Sequence, residues 1–290
     1  KETIQALEYG AFDFVTKPEN YFETKGDDFK KRIHDMLNVA TSSRASVERT
    51  KSTTGRTIPS GSRTASGIKT TSSLTSRLSS DKKASNDAIS ALRRRNEIND
   101  TLPPKVNPAK FTNIKSGTKK VVALACSTGG PKSLQQVIPM LPKNLDAGVV
   151  LVQHMPAGFT ASLAARLNEI SDINVKEGAD GDVIQKGWVY IAPGGKHIKV
   201  VKKASEYVIK LNDEPPIDGL RPCANVMYKS LVQCNYDEIT CVVLTGMGAD
   251  GTEGIKTLSA SHKKIHVIAQ DEDSCVVYGM PKAIAQTGLV

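Results

Sequence analysis

Four short, largely apolar runs, each closed by a turn, constrain this chain more than any other feature. They are Val121–Cys126, Gly148–Gln153, Trp188–Ala192 and Glu238–Leu244. A run with little polar alternation is what a strand buried on both faces needs. Each is far shorter than the ~20 residues that cross a bilayer, so the runs read as core strands. Helical patterns lie between them: Lys132 to about Ile138, a helix ending near Glu169, Pro222–Gln233 and Glu253–Ala260. Ile265–Ala269 reads as a late strand and Pro281–Gln286 as the start of a final helix. This alternation predicts an α/β fold with a doubly wound, mostly parallel, Rossmann-like sheet. Trp188–Ala192 and His197–Val201 bracket Pro193-Gly194-Gly195, a hairpin signal that Val208–Leu211 extends. No internal repeat is present.

The first 118 residues have a different character. Between residues 41 and 80, 21 of 40 residues are Ser or Thr, and no Phe, Trp or Tyr occurs between Phe29 and Phe111. Such a stretch cannot bury enough apolar area to offset a backbone ordering cost of about 1–2 kcal/mol per residue. Residues 41–117 therefore read as a disordered linker, in which the pattern allows a short helix over Ser85–Asn99. The formal charge of +9 is concentrated there: −2 over residues 1–40, +10 over 41–118 and +1 over 119–290. The basic balance is thus a linker property. Arg93-Arg94-Arg95 lacks interleaved aromatics, so it reads as a solvated cluster rather than a nucleic-acid platform. Upstream, Glu2–Tyr9 reads as the end of a helix stopped by Gly10, Phe12–Thr16 as a strand and Phe29–Val39 as a helix. Forty residues are too few to fold alone, so they read as the tail of a larger α/β domain. The five cysteines show no ligand spacing and no even framework, which fits reduced cytosolic thiols. No metal or cofactor is expected. No signal peptide is visible, and a cytoplasmic chain without membrane insertion is the expectation.

Chemistry is expected where ligands bind open α/β sheets, outside the carboxyl ends of the strands. Ser127, His154 and Asp250 each follow an apolar run and lie in or beside a turn. A hydroxyl, an imidazole and a carboxylate at three strand ends form the set a serine hydrolase needs: nucleophile, base, and an acid that fixes the base's tautomer. Each alone has an ordinary reading, as helix cap, loop residue or turn residue; together they point to catalysis. Gly129 and Gly130 leave room beside Ser127. The helix that follows would aim its N-terminal N–H groups at a developing oxyanion. Gly246–Gly251 would present further backbone N–H groups. His197 follows a Gly-Gly turn and is open to lining the cleft, whereas His262 and His266 read as exposed. Ser127–Ser133 is no phosphate loop, because Pro131 stands directly before the Lys. The order Ser, His, Asp and the absence of G-x-S-x-G argue against an α/β-hydrolase.

Residues 118–290 resemble the catalytic domain of the chemotaxis protein-glutamate methylesterase (CheB) family. The matching stretches are Ala125–Pro131, Gln153–Pro156, Phe159-Thr160, Tyr190–Gly195, Arg221-Pro222, Leu244–Gly251 and Tyr278–Pro281. The resemblance implies Ser127 as nucleophile, His154 as base and Asp250 as orienting acid, supported by Thr128 and the Met247 backbone around the oxyanion. Gly10–Pro18 is similar to the end of a response-regulator receiver domain, in which Lys17 would contact a phosphoryl group. The chain then reads as a receiver remnant over 1–40, the linker over 41–117 and the catalytic domain over 118–290. The receiver's phosphoacceptor is expected upstream of Lys1, and the carboxyl end is expected to be truncated. The implied function is demethylation, and deamidation of glutamines, on the cytoplasmic helices of methyl-accepting chemotaxis receptors. A chemotaxis histidine kinase is the implied partner of the intact receiver. The alternative is a receiver-regulated signalling module acting on another protein ester or amide. A nucleic-acid-binding regulator is disfavoured, because the folded segments are near neutral and no helix-turn-helix pattern follows the linker.

Overall fold

The computed structural model describes residues 3, 6, 9, 11, 13–15, 26–49, 119–261 and 264–290 of the chain. All of them belong to one compact unit. The remainder, including Lys17, Arg93–Arg95, His262 and nearly all of the expected linker, lies outside the described residues.

Six strands form one sheet in the order β3-β4-β2-β1-β7-β8, and every pairing is parallel. They are β1 (Lys120–Cys126), β2 (Gly148–Gln153), β3 (Asn174–Glu177), β4 (Trp188–Ile191), β7 (Glu238–Val243) and β8 (Ile265–Ala269). The chain leaves the central β1 towards β2, β4 and β3, then returns to add β7 and β8 on β1's other side. Strand order therefore reverses at β1, and the loops after β1 and β7 open a crevice there.

The apolar runs explain why β1 and β2 are central. Alternate residues serve two cores. Leu124, Val149, Leu151 and Ile191 face helices α2 (Gly130–Val137) and α3 (Phe159–Ile170) through Leu134, Leu163 and Leu167. Ala123, Val150, Val152 and Cys241 belong to the other core. It includes residues of α4 (Ala224–Ser230), α5 (Thr252–Ser259) and α6 (Met280–Ala285). A two-stranded antiparallel sheet, β5 (His197–Lys203) with β6 (Glu206–Asn212), adds Ile198, Val200 and Ile209 to that same core.

The sheet bears out the doubly wound α/β reading, and four local expectations change. Trp188–Ala192 does not form a hairpin with His197–Val201. β4 pairs in parallel with β2 and β3, and β5 turns back on β6 instead. The Pro-Gly-Gly turn thus connects two sheets rather than two paired strands. Asp13, Phe14 and Val15 lie in no strand; the Phe14 N–H bonds Asp13 Oδ1 at 2.8 Å rather than a neighbouring strand. The helix expected over Phe29–Val39 runs as α1 from Asp27 to Arg49, through the expected linker start at residue 41. There the Thr41 hydroxyl donates to the Leu37 and Asn38 carbonyls one turn back, an accommodation that lets Thr continue a helix. Finally, His197 is fully buried and its ring bonds the Pro215 carbonyl at 3.1 Å, so it does not line a cleft. No helix among the described residues is long and apolar enough to cross a membrane.

Candidate active site

Ser127 directly follows β1, and its N–H donates to Thr245 O at 3.0 Å, tying the loops after β1 and β7 together. Thr245 is fully buried and its hydroxyl extends the tie, donating to Thr128 O at 3.0 Å. His154 directly follows β2, and its N–H bonds Cys126 O at 3.1 Å. Ser127, Thr128, His154 and Met247 line one cleft with a cavity volume of about 190 Å³. Met247 stands at its mouth, 42% exposed. Asp250 sits behind the imidazole, its Oδ2 at 2.8 Å from His154 Nε2. The structure thus brings Ser127, Thr128, His154, Met247 and Asp250 together, from the ends of β1, β2 and β7.

Asp250 is embedded in donors. Its Oδ2 accepts the Ala224 N–H at 2.6 Å as well as the imidazole, and its Oδ1 accepts the Asn225 N–H at 2.9 Å and the Cys223 thiol at 3.2 Å. Burial would raise this carboxyl, but the His154 bond and charge and the Asn225 and Ala224 amides outweigh it and hold it at about 2. An ionised carboxylate only accepts, so the shared proton resides on His154 Nε2. In a neutral imidazole so oriented, Nδ1 is the nitrogen that carries the lone pair. Beside it, burial and the Asp250 charge push the Cys223 thiol up to about 12, so it remains a neutral donor. Asn225 locks the arrangement, because its Oδ1 accepts the Gly251 and Gly254 N–H groups at 3.1 and 2.7 Å.

One participant had no signal in the sequence. The Asp13 carboxylate lines the same cleft as Ser127 and Thr128, near enough to the Thr128 hydroxyl and the Gly129 N–H for both to favour its charged form. Phe14 stacks on Phe159 with ring centroids 4.8 Å apart. Asp35 and Met36 of α1 also line the cleft. Burial, partly offset by the Phe14, Thr128 and Gly129 donors, raises Asp13 to about 6. The Thr128 hydroxyl and the Gly129 N–H are thus polar donors close to Ser127. Nothing in the pattern Asp13-Phe14-Val15 announces that distant contact.

A serine hydroxyl, and an imidazole held by an ionised carboxylate, at the switch point of a parallel sheet are the groups that the class of serine-type hydrolases brings together. Residues 122–290 match the model of the CheB methylesterase family, and the chain belongs to that family. Among its relatives is the protein-glutamate methylesterase/protein-glutamine glutaminase of Bacillus subtilis, 37% identical over 99% of this chain and 69% of that protein. The protein of the same name from Desulfotalea psychrophila is 46% identical over 61% of this chain, and the match spans 49% of that relative. Among solved structures, the Thermotoga maritima CheB methylesterase catalytic domain is 40% identical with a TM-score of 0.57, covering 60% of this chain and 90% of that one.

Proposed function

We propose that this chain hydrolyses glutamate γ-methyl esters on the cytoplasmic helices of chemotaxis receptors, releasing methanol, and deamidates receptor glutamines by the same route. Ser127 attacks the ester carbonyl while His154 Nδ1 takes its proton. The Thr128 hydroxyl, the Gly129 N–H and the Met247 backbone are the donors offered to the oxyanion. His154 then protonates the departing methoxide, and water resolves the acyl-enzyme to the carboxylic acid. Asp250 stays ionised throughout, fixing the imidazole and stabilising its cationic form. The observation that carries this reading is the His154–Asp250 bond in a cleft shared with Ser127, in a chain of this family. The setting is the cytoplasm, where the receptor helices lie.

The N-terminal segment supplies regulation. Asp13 and Phe14 line the cleft beside Ser127 and Thr128, and Phe14 packs on Phe159 of α3. Residues 1–40 then act as the end of a receiver domain, of which Asp13–Val15, Asp35 and Met36 line the cleft, with a histidine kinase as the partner of the complete domain. Receptor helices carrying glutamate methyl esters should release methanol on incubation with the chain, and helices carrying glutamine should release ammonia. No methanol release from methylated receptor would overturn the substrate assignment.

A further inference from the structure

Gln153 ends β2, directly opposite Cys126 in the register of β1 with β2. It therefore stands beside the last strand residue before Ser127 and directly before His154. Its side chain is 2% exposed, and an amide buried that deeply needs partners. Nε2 donates to the Ser127 carbonyl at 3.0 Å and to the His154 carbonyl at 3.2 Å. Oε1 accepts the Cys126 thiol at 3.0 Å. The reverse amide orientation would set Oε1 against two carbonyl oxygens and leave the thiol facing a donor, so chemistry fixes the orientation. The turn after the nucleophile is shaped around this group as well. A Cβ on Gly130 would fall 2.0 Å from Gln153 Oε1 and 3.0 Å from Cys126 Cβ.

We infer that Gln153 is a positioning residue: its one amide group ties the peptide of the nucleophile to the peptide of the base and fixes their mutual register. It touches neither substrate nor reacting atoms. The bonds hold the peptide planes just past the ends of β1 and β2, so their loss lets the Ser127 and His154 turns drift independently. Misplacement by about 1 Å costs about 10²-fold in rate. This inference rests on the reading of Ser127 and His154 given above.

The test uses the full chain with methylated receptor, measuring kcat and KM from pH 5.5 to 8.5 together with thermal midpoints. Gln153→Met should lower kcat about 10–100-fold with KM little changed, and its ratio to the native chain should be constant with pH. Gln153→Glu should lose more at high pH, where two carbonyls face a carboxylate. It should recover relative to the native chain towards low pH, as protonation restores one donor. A native kcat in Gln153→Met, a loss confined to KM, or identical pH-independent ratios for both variants would overturn the inference. Gly130→Ala approaches the same clamp from the other side. It should lower kcat alone, and Gly130→Ala with Gln153→Ala should be no worse than Gln153→Ala. Additive losses would sink the clamp even if Gln153→Met or Gln153→Glu fails to fold. Methanol release that persists in Ser127→Ala would overturn the esterase reading itself, a failure distinct from these.

Discussion

Asp250 shows how one residue can be both legible and incomplete in a sequence. Its place after an apolar run and before Gly251 marked it as a strand-end carboxylate. Beside His154, the donors that keep it ionised are the Ala224 and Asn225 N–H groups, about 25 residues earlier in the chain, and no local pattern links them to it. Ser127 and His154 were legible for the same reason as Asp250, since each is a polar residue closing a buried run. Asp13 and Gln153 were not, because their roles exist only in contacts with distant backbone. Replacing Asp250 by Asn leaves the volume and reverses the hydrogen-bond demand on the imidazole. Turnover should fall about 10⁴-fold, the scale of that change in another serine hydrolase, and kcat is the quantity to measure. The same carboxylate makes stability pH-dependent. Its folded value of about 2 lies below the ordinary 3.8. The stabilisation is therefore complete above about pH 4 and is lost as pH falls through 2, amounting to about 2 kcal/mol. Acid denaturation of Asp250→Asn should lack that component, and an unchanged acid midpoint would contradict the assignment.

Among the elements, the turn from β4 to β5 packs against the loop that carries His154. A Cβ on Gly194 would lie 2.3 Å from Pro156 C and O, directly behind the His154 loop. The Gly194 N–H bonds the Thr160 hydroxyl at 2.9 Å, and that hydroxyl donates to Glu177 Oε1 at 2.5 Å. The residues around this turn suggested a hairpin because apolar runs on both sides of Pro-Gly-Gly look alike whether they pair or not. Pairing was decided by β2, whose vacant edge accepts β4 in parallel. Strand β3 left no readable signal, being four residues at the sheet edge with the sequence Asn-Val-Lys-Glu. The central strands were legible because burial on both faces requires unbroken apolar residues. Gly194→Ala must displace backbone rather than a flexible side chain. Its kcat should fall about 10–100-fold through a shifted His154, and equal kcat in variant and native chain would show that the turn does not position the base.

At the scale of the whole molecule, the cleft is shared between the sheet and the N-terminal segment. Asp13, Asp35 and His154 are the titratable groups that line it. Asp13 in its docked position has a raised value of about 6 against an ordinary 3.8. A raised folded value means that docking is favoured by the proton: it is strongest below about pH 4 and weakens as pH rises through 6. Asp13→Asn keeps acceptor capacity without the charge, so its segment should stay docked at pH 7.5. Amide exchange at Phe14 and Gly129 should accelerate between pH 5 and 7.5 in the native chain, after correction for intrinsic rates, and much less in the variant. Equal acceleration in both would remove Asp13 from the regulation. The formal charge of +9 belongs to the expected linker rather than to the cleft. The near-neutral 119–290 segment carries the cleft.

The central claim is acyl transfer through Ser127, and methanol release from methylated chemotaxis receptor tests it most directly. Native chain and Ser127→Ala should be compared at equal concentration, with matching thermal midpoints as the control for folding. Ser127→Ala should lose close to about 10⁶-fold in rate, the scale seen when a serine nucleophile is removed elsewhere. Release by Ser127→Ala at a rate near that of the native chain would contradict it.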